Sequence, residues 1–188
     1  PDHYIVKRKT VKASIGIKRA MSACCSCRVC TDLCPRNLLG YPIDPQGFMH
    51  GISQNKVFST KPFLNTFSCS QCGLCEMYSC MQGLSPASLI GEYKNALRAK
   101  GVPIPQITDD TQISNKREYR MVPVSRLLNR IGLGKYNVKM TFNPESLHSK
   151  RLTISLSQGI GSPAVSIVKK GDVVKKGQKI ASEPDEKL

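Results

Sequence analysis

The chain contains no tryptophan, and only 6% of its 188 residues are aromatic. With 40% hydrophobic residues it can bury a modest core but not a large one, and small cores often need a metal or another staple. No apolar run approaches the roughly 20 residues that cross a bilayer. Residues 1–10 are basic and carry no apolar stretch of the signal-peptide kind. These absences predict a cytoplasmic chain without a membrane span. Because the first residue is Pro1 rather than Met, a fragment or trimmed form is expected. Familiar catalytic patterns are missing too: there is no GxGxxG, no Walker loop, no Ser/His/Asp set and no paired-carboxylate motif. No residue is predicted to be catalytic.

Acidic residues are scarce. Thirteen Asp and Glu face 28 Lys and Arg, giving a formal charge of +15. The excess suits a solvated surface or a face covered by another part of the protein. It also suits a field that steers an acidic protein partner, such as a ferredoxin or flavodoxin. Nucleic acid is the remaining reading, but no helix-turn-helix, RNP-type aromatic motif or dense Arg/Lys stretch supports it.

Cysteine is what the chain has in abundance. Five of the nine lie between positions 24 and 34, four between 69 and 80, and none after Cys80. A disulfide framework scatters its cysteines and prefers an even count in a secreted chain, so this clustering points to metal. The first motif is CCSCRVCTDLCP, in which Cys24, Cys27, Cys30 and Cys34 follow Cys-x2-Cys-x2-Cys-x3-Cys with Pro35 next. That is the spacing of a bacterial-type 4Fe–4S run: one tight loop wraps three corners of a cubane, and the fourth cysteine reaches the other cluster. In the second motif, CSQCGLCEMYSC, Cys69, Cys72 and Cys75 repeat the triple. Cys80 follows after four residues instead of three, with Met81 where Pro is usual, which alters the local chain path.

The two-cluster rule assigns Cys24, Cys27, Cys30 and Cys80 to one 4Fe–4S cluster and Cys69, Cys72, Cys75 and Cys34 to the other. Cys25 is left over and is expected to be a buried, non-ligating thiol. Two clusters at about −2 each leave a net charge of about +11, still basic. Zinc is the alternative, since Cys-x2-Cys pairs also build tetrahedral sites. His3, His50 and His148 stand apart in the sequence and read as ordinary surface or capping residues. Tyr78, Phe63 and Phe67 are expected to keep water off the clusters.

The chain divides into a basic lead-in (1–20), a cysteine region (21–101), a connector (102–137) and a strand-rich segment (138–188). A helix is expected around Ile15 to Ala23. Ser85 and Pro86 start another, carried by Leu89, Ile90, Tyr93 and Leu97 and stopped by Gly101. Cys72 to Met81 reads as helical, Tyr41 to Ser68 as mostly loop with one short helix, and Ser125 to Ile131 as a helix. Beyond these, Leu152, Ile154 and Leu156 alternate with polar residues as a strand does. Turn signals at Gly171-Asp172 and Lys176-Gly177 separate Val165–Val168, Val173–Val174 and Ile180. Lys169, Lys170, Lys175 and Lys176 flank those turns and read as solvated.

The wording CCSCRVCTDLCPRNLLGYPI and CSQCGLCEMYSCMQGLSP, with VPVSRLLNRIGLGKYNV and SQGIGSPAVSIVKKGDVVKKGQKIAS, resembles the cobalamin reductases of propanediol-utilisation microcompartments. These are relatives of the C subunit of the Rnf electron-transport complex. The resemblance implies an α+β chain: an all-helical dicluster ferredoxin-like domain, then a small β-rich barrel-sandwich segment related to biotinyl and lipoyl domains, incomplete at Leu188. Without a Met-Lys-Met motif that segment reads as structural. The resemblance further implies FMN and NADH bound by an N-terminal part of the same protein, with electrons leaving through two clusters. The acceptor would be cobalamin on a partner enzyme or another microcompartment redox protein, and the location the interior of a bacterial microcompartment. A subunit of a membrane-attached Rnf-type complex is the alternative; a zinc-stapled scaffold or nucleic-acid-binding module is a further one.

Overall fold

The computed structural model describes residues 4–107, 111–142, 150–159 and 161–183. It resolves into two compact units, residues 1–139 and 140–188. His3 and His148 lie outside the described residues.

The first unit is helical. Its α-helices are α1 (Tyr4–Lys9), α2 (Ala13–Ala23), α3 (Val29–Asp32), α4 (Pro35–Leu38), α5 (Pro45–Ser53), α6 (Lys61–Leu64), α7 (Pro86–Ala99), α8 (Arg117–Arg120) and α9 (Val124–Arg130). A 3-10 turn, Asn65–Ser68, extends α6, and Cys75–Ser79 forms a single π-helical turn. Proline writes much of this pattern. Pro35, Pro45, Pro62 and Pro86 each stand in the first two helical positions, where the missing N–H would have had no partner. Residues 41–68 are consequently more helical than the mostly loop stretch with one short helix expected there, since Pro45 and Pro62 start α5 and α6 rather than breaking them. The expected helix over Cys72 to Met81 shrinks to the π turn. Gly73 is left-handed at φ 78°, and the chain turns again after Cys80 without a helix following.

The core gathers α2, α5, α6 and α7. Ala20, Phe48, Met49, Phe63, Leu84, Leu89 and Ile90 are buried together, with Tyr93, Cys24, Cys69 and Cys80 packed against them. Phe48, Phe63 and Tyr93 form a triangle of rings with centroids 5.3, 5.6 and 5.4 Å apart, bringing one aromatic from each of α5, α6 and α7 to one point. Tilted and edge-on pairs of this sort add about 0.5–1.5 kcal/mol each beyond area burial. Gly51 permits the approach: a Cβ there would stand 2.7 Å from Phe63 Cζ. The cysteine loops are thereby held against a small but well-packed helical platform.

The stretch from 111 to 137 also packs on this unit. Ser114 N donates to Leu38 O at 3.0 Å and Arg130 Nε to Met77 O at 3.3 Å. Gly40, at φ 92°, lies so close to Gln112 O that a Cβ would sit 2.5 Å from it.

In the second unit, Val165–Ser166 (β1) and Ala181–Ser182 (β2) pair antiparallel, with Val165 opposite Ser182. Two turns lie between them, Lys169–Asp172 and Lys175–Gln178, closed by the left-handed Gly171 and Gly177 that the sequence marked. Leu152, Ile154 and Leu156 do not form the expected strand. Leu156 O accepts Ala164 N at 3.0 Å, but this stretch gains no ladder of its own, and Leu152 remains 64% exposed.

Candidate metal centres

The two cysteine motifs adopt the same local path. In each, the residue before the second cysteine is left-handed, Ser26 at φ 53° and Gln71 at φ 57°. The residue after it is left-handed too, Arg28 at 66° and Gly73 at 78°. A non-glycine residue held there is strained by about 1 kcal/mol or more, and each has a compensating contact. Ser26 Oγ lies 2.9 Å from His50 Nδ1, and the His50 ring stacks on Phe58 at 5.1 Å. Gln71 donates from its backbone N (3.4 Å) and from Nε2 (3.2 Å) to Cys69 Sγ. Arg28 pairs with Asp32 at 3.4 Å. Paired reversals of this kind curl three successive cysteines around one hollow.

Two such hollows exist. One, of about 400 Å³, is lined by Cys24, Cys27, Cys30 and Cys80, with Cys25 and Met81 at its rim. The other, of about 340 Å³, is lined by Cys34, Cys69, Cys72 and Cys75, backed by Ile43 and Ile90. Each motif thus sends its last cysteine across to the other motif's hollow. The structure brings the eight cysteines together in these two groups of four. Elsewhere on this unit, an open concavity of about 450 Å³ near α2 and α7 has no cysteine. Its charged groups Lys12, Arg19 and Glu92 are exposed.

Burial makes bare thiolates unfavourable at three of the eight positions. Desolvation, followed by the neighbouring Cys80, Cys27 and Cys24, pushes the Cys30 thiol up to about 12. Cys34 is raised by desolvation, against which the backbone N–H groups of Asn37 and Arg36 act. Cys75 is raised well above the ordinary thiol range by desolvation and then by Glu76. Sulfurs of this kind bind as thiolates only where a metal's positive charge replaces lost water. Yet no three His, Cys, Asp or Glu side chains among the described residues converge as a single metal ion requires. Four thiolates on one zinc must crowd to about 2.3 Å from a common point, whereas a cubane presents four irons, one per sulfur, and spreads them around its corners. The donor chemistry, four cysteines to each hollow, fits 4Fe–4S clusters.

The surroundings hold the loops. Thr31 Oγ1 donates to Asp44 Oδ1 at 2.7 Å and accepts from Gln46 N at 2.8 Å, tying the first motif to the start of α5. Asn37 Nδ2 donates to Ile43 O at 2.8 Å. Glu76 is 3% exposed and accepts from Ser88 N at 2.9 Å and from Ser88 Oγ at 3.0 Å. It therefore caps α7, because Ser85, at the N-cap position, makes no side-chain bond. On α7, Lys94 Nζ donates to Cys69 O at 2.9 Å. Its ammonium is pushed down by desolvation and Arg98, and drawn up by Cys69. Phe63 lies in the ring triangle, while Phe67 and Tyr78 are half-buried. Cys25 is exposed, not buried as expected: its immediate neighbour Cys24 takes the inward position, and the side chain that follows it along the rim faces solvent. The Glu76 cap and the His50 contact were not read from the sequence; an acidic residue beside a ligand-spaced cysteine, just ahead of a Ser-Pro helix start, was the available signal for the first.

Known protein families match the chain in two separate regions. The 4Fe-4S dicluster domain family matches residues 23–85, and the RnfC barrel sandwich hybrid domain matches residues 142–187. Cobalamin reductase PduS of Salmonella typhimurium is 30% identical over 182 residues, 97% of this chain. The chain is homologous to the cobalamin reductases. The reductase PduS of Citrobacter freundii is 28% identical over 187 residues, again 97% of this chain. In both comparisons the chain spans 40% of the reductase's length. No solved structure matches it. The dicluster match and the similarity to the reductases support iron–sulfur electron transfer. No helix among the described residues is long and apolar enough to cross a membrane.

Proposed function

We propose that this chain is the iron–sulfur part of a flavin- and NADH-dependent reductase of the cobalamin-reductase kind. It would hold one 4Fe–4S cluster on Cys24, Cys27, Cys30 and Cys80 and a second on Cys34, Cys69, Cys72 and Cys75. The observation that carries the reading is the division of eight cysteines into two four-sulfur hollows with their last members exchanged. Such clusters, when bound, take up and release single electrons. The residues of the chain do the rest. Cys75 and the core behind it exclude water, the left-handed turns aim the triples, and Thr31, Asn37 and Glu76 hold the loops in register.

On this reading hydride enters at FMN from NADH in another part of the same protein. Electrons leave one at a time toward cobalamin on a partner enzyme or another microcompartment redox protein. The all-helical cluster region, residues 21–101, is the wire. The barrel-sandwich segment from 138 onward is structural, and the setting is a bacterial microcompartment. The match to an RnfC domain at 142–187 favours one second reading, a C-subunit-like component of an Rnf-type complex. The order of parts, clusters first and barrel-sandwich after, favours the microcompartment reductase.

The test is anaerobic iron and sulfide analysis with EPR after dithionite reduction. About eight irons per chain and two interacting signals are expected. Cys34→Ala should remove the cluster of the second motif and leave that of the first, so the iron content falls by about half. One or two zincs with no iron sinks the redox reading. Loss of the first motif's signal in the Cys34 variant sinks the exchanged assignment.

A further inference from the structure

We infer that the two sulfur sets are electronically unequal, and that Gln71 and Lys94 make the Cys34, Cys69, Cys72 and Cys75 set the one with the higher reduction potential, where an electron comes to rest. This rests on the two-cluster reading proposed above.

The reduced form of an iron–sulfur cluster carries one more negative charge than the oxidised form. N–H donors to its sulfurs and nearby cations therefore favour reduction. The second set has both. Cys69 Sγ receives the backbone N and the carboxamide Nε2 of Gln71, at 3.4 and 3.2 Å. Lys94 brings its ammonium to the carbonyl of the same residue at 2.9 Å. Backbone N–H groups of Arg36 and Asn37 face Cys34. Helix α7 is shaped for this corner. Gly91 leaves the space that the Gln71 carboxamide fills, since a Cβ there would stand 2.7 Å from Gln71 Oε1, and Lys94 follows one turn later.

The first set has fewer donors, with the backbone N–H of Cys30 facing its own sulfur. Ser26 holds the position equivalent to Gln71, but its hydroxyl faces His50 Nδ1 rather than a sulfur. Arg28 is drawn to Asp32. Cys80 is followed by a turn instead of the helix that follows Cys34, the consequence of Met81 standing where Pro35 stands in the first motif. Glu76 opposes the ordering, because its carboxylate lies beside Cys75. That carboxylate is engaged by Ser88 N and Oγ at the start of α7, which neutralises part of its field. When the two centres exchange an electron, the first is oxidised by one electron and the second reduced by one, and no atom need move.

A potentiometric EPR titration of the full chain, prepared anaerobically and reduced with dithionite, tests the ordering. Two one-electron steps are expected. Gln71→Leu, Lys94→Met and Gly91→Ala should each lower the upper step and leave the lower one in place. Gln71→Leu should change the upper step about tenfold in equilibrium constant, about 59 mV for one electron. Gly91→Ala is the discriminating variant. It favours the helix while displacing the Gln71 carboxamide, so a lowered upper step with undiminished stability supports the inference against a merely structural role. Movement of the lower step, or of neither, in a chain carrying its full iron overturns the ordering alone. A chain without two clusters overturns the reading beneath it as well.

Discussion

Replacing Glu76 tests how the second cysteine motif is fastened to the core. The carboxylate is 3% exposed and accepts the backbone N–H and the hydroxyl of Ser88. It satisfies the first turn of a 14-residue helix that supplies Ala87, Leu89 and Ile90 to the interior. Hydrogen bonds to a charged group contribute about 1.5–3 kcal/mol, and a buried donor left without a partner costs about 1–3 kcal/mol. An N-cap alone is worth about 1 kcal/mol. These contributions overlap, so Glu76→Ala should destabilise the chain by about 2–4 kcal/mol. For a chain of this size that lowers the melting temperature by about 4–16 °C. Glu76→Gln keeps an acceptor for Ser88 N and should lose about 1 kcal/mol. Ser88→Ala, which removes only the hydroxyl, should lose a similar amount. Anaerobic guanidinium unfolding followed by far-UV circular dichroism measures each, with bound iron assayed on the same samples. If Glu76→Ala stays within about 0.5 kcal/mol of the parent, or if the Gln variant falls as far as the Ala variant, the capping argument fails.

Two further substitutions probe other parts of the unit. Gly51→Ala drives a methyl to within 2.7 Å of Phe63 Cζ. Overpacking of about 1–3 kcal/mol should outweigh the roughly 1 kcal/mol gained in helix propensity, and an unfolding midpoint at or above the parent's refutes the close-approach argument. Cys25→Ser should leave iron and sulfide content unchanged. Alkylation of the folded, iron-loaded chain followed by peptide mapping should find Cys25 modified before the other cysteines, whereas iron loss in the variant would make Cys25 a ligand.

What the sequence disclosed about this molecule was what depends on short spacing. Cysteines two apart can curl around one hollow only by turning left-handed between them, and that geometry is implicit in the motif itself. The α7 start at Ser85-Pro86 and its stop near Gly101 were legible for the same reason: each signal acts within one turn. Pro45 and Pro62 misled, because a proline that opens a helix and one that breaks it are the same letter. The difference lies in Phe48 and Met49, which the core buries and so holds helical. Cys25 misled in another way, since two adjacent cysteines cannot both face inward from one loop. The contacts across long separations, Glu76 to Ser88 and Ser26 to His50, depend on how α5 and α7 pack and have no local signature. Leu152 to Leu156 carries the alternation of a strand, but alternation specifies a face and not a neighbour to pair with.

The exchange of Cys34 and Cys80 has a mechanical meaning. With clusters bound as proposed, each becomes a clasp joining stretches of chain that lie on either side of α4, α5 and α6. A cross-link closing a loop of tens of residues stabilises by about 3–4 kcal/mol, a large addition to so small a hydrophobic interior. The clasps are also interlocked: opening either one frees a ligand that belongs to the neighbouring loop. A chain that has lost one cluster should accordingly keep the other yet unfold at a lower denaturant concentration, because one of the two clasps around α4, α5 and α6 is open.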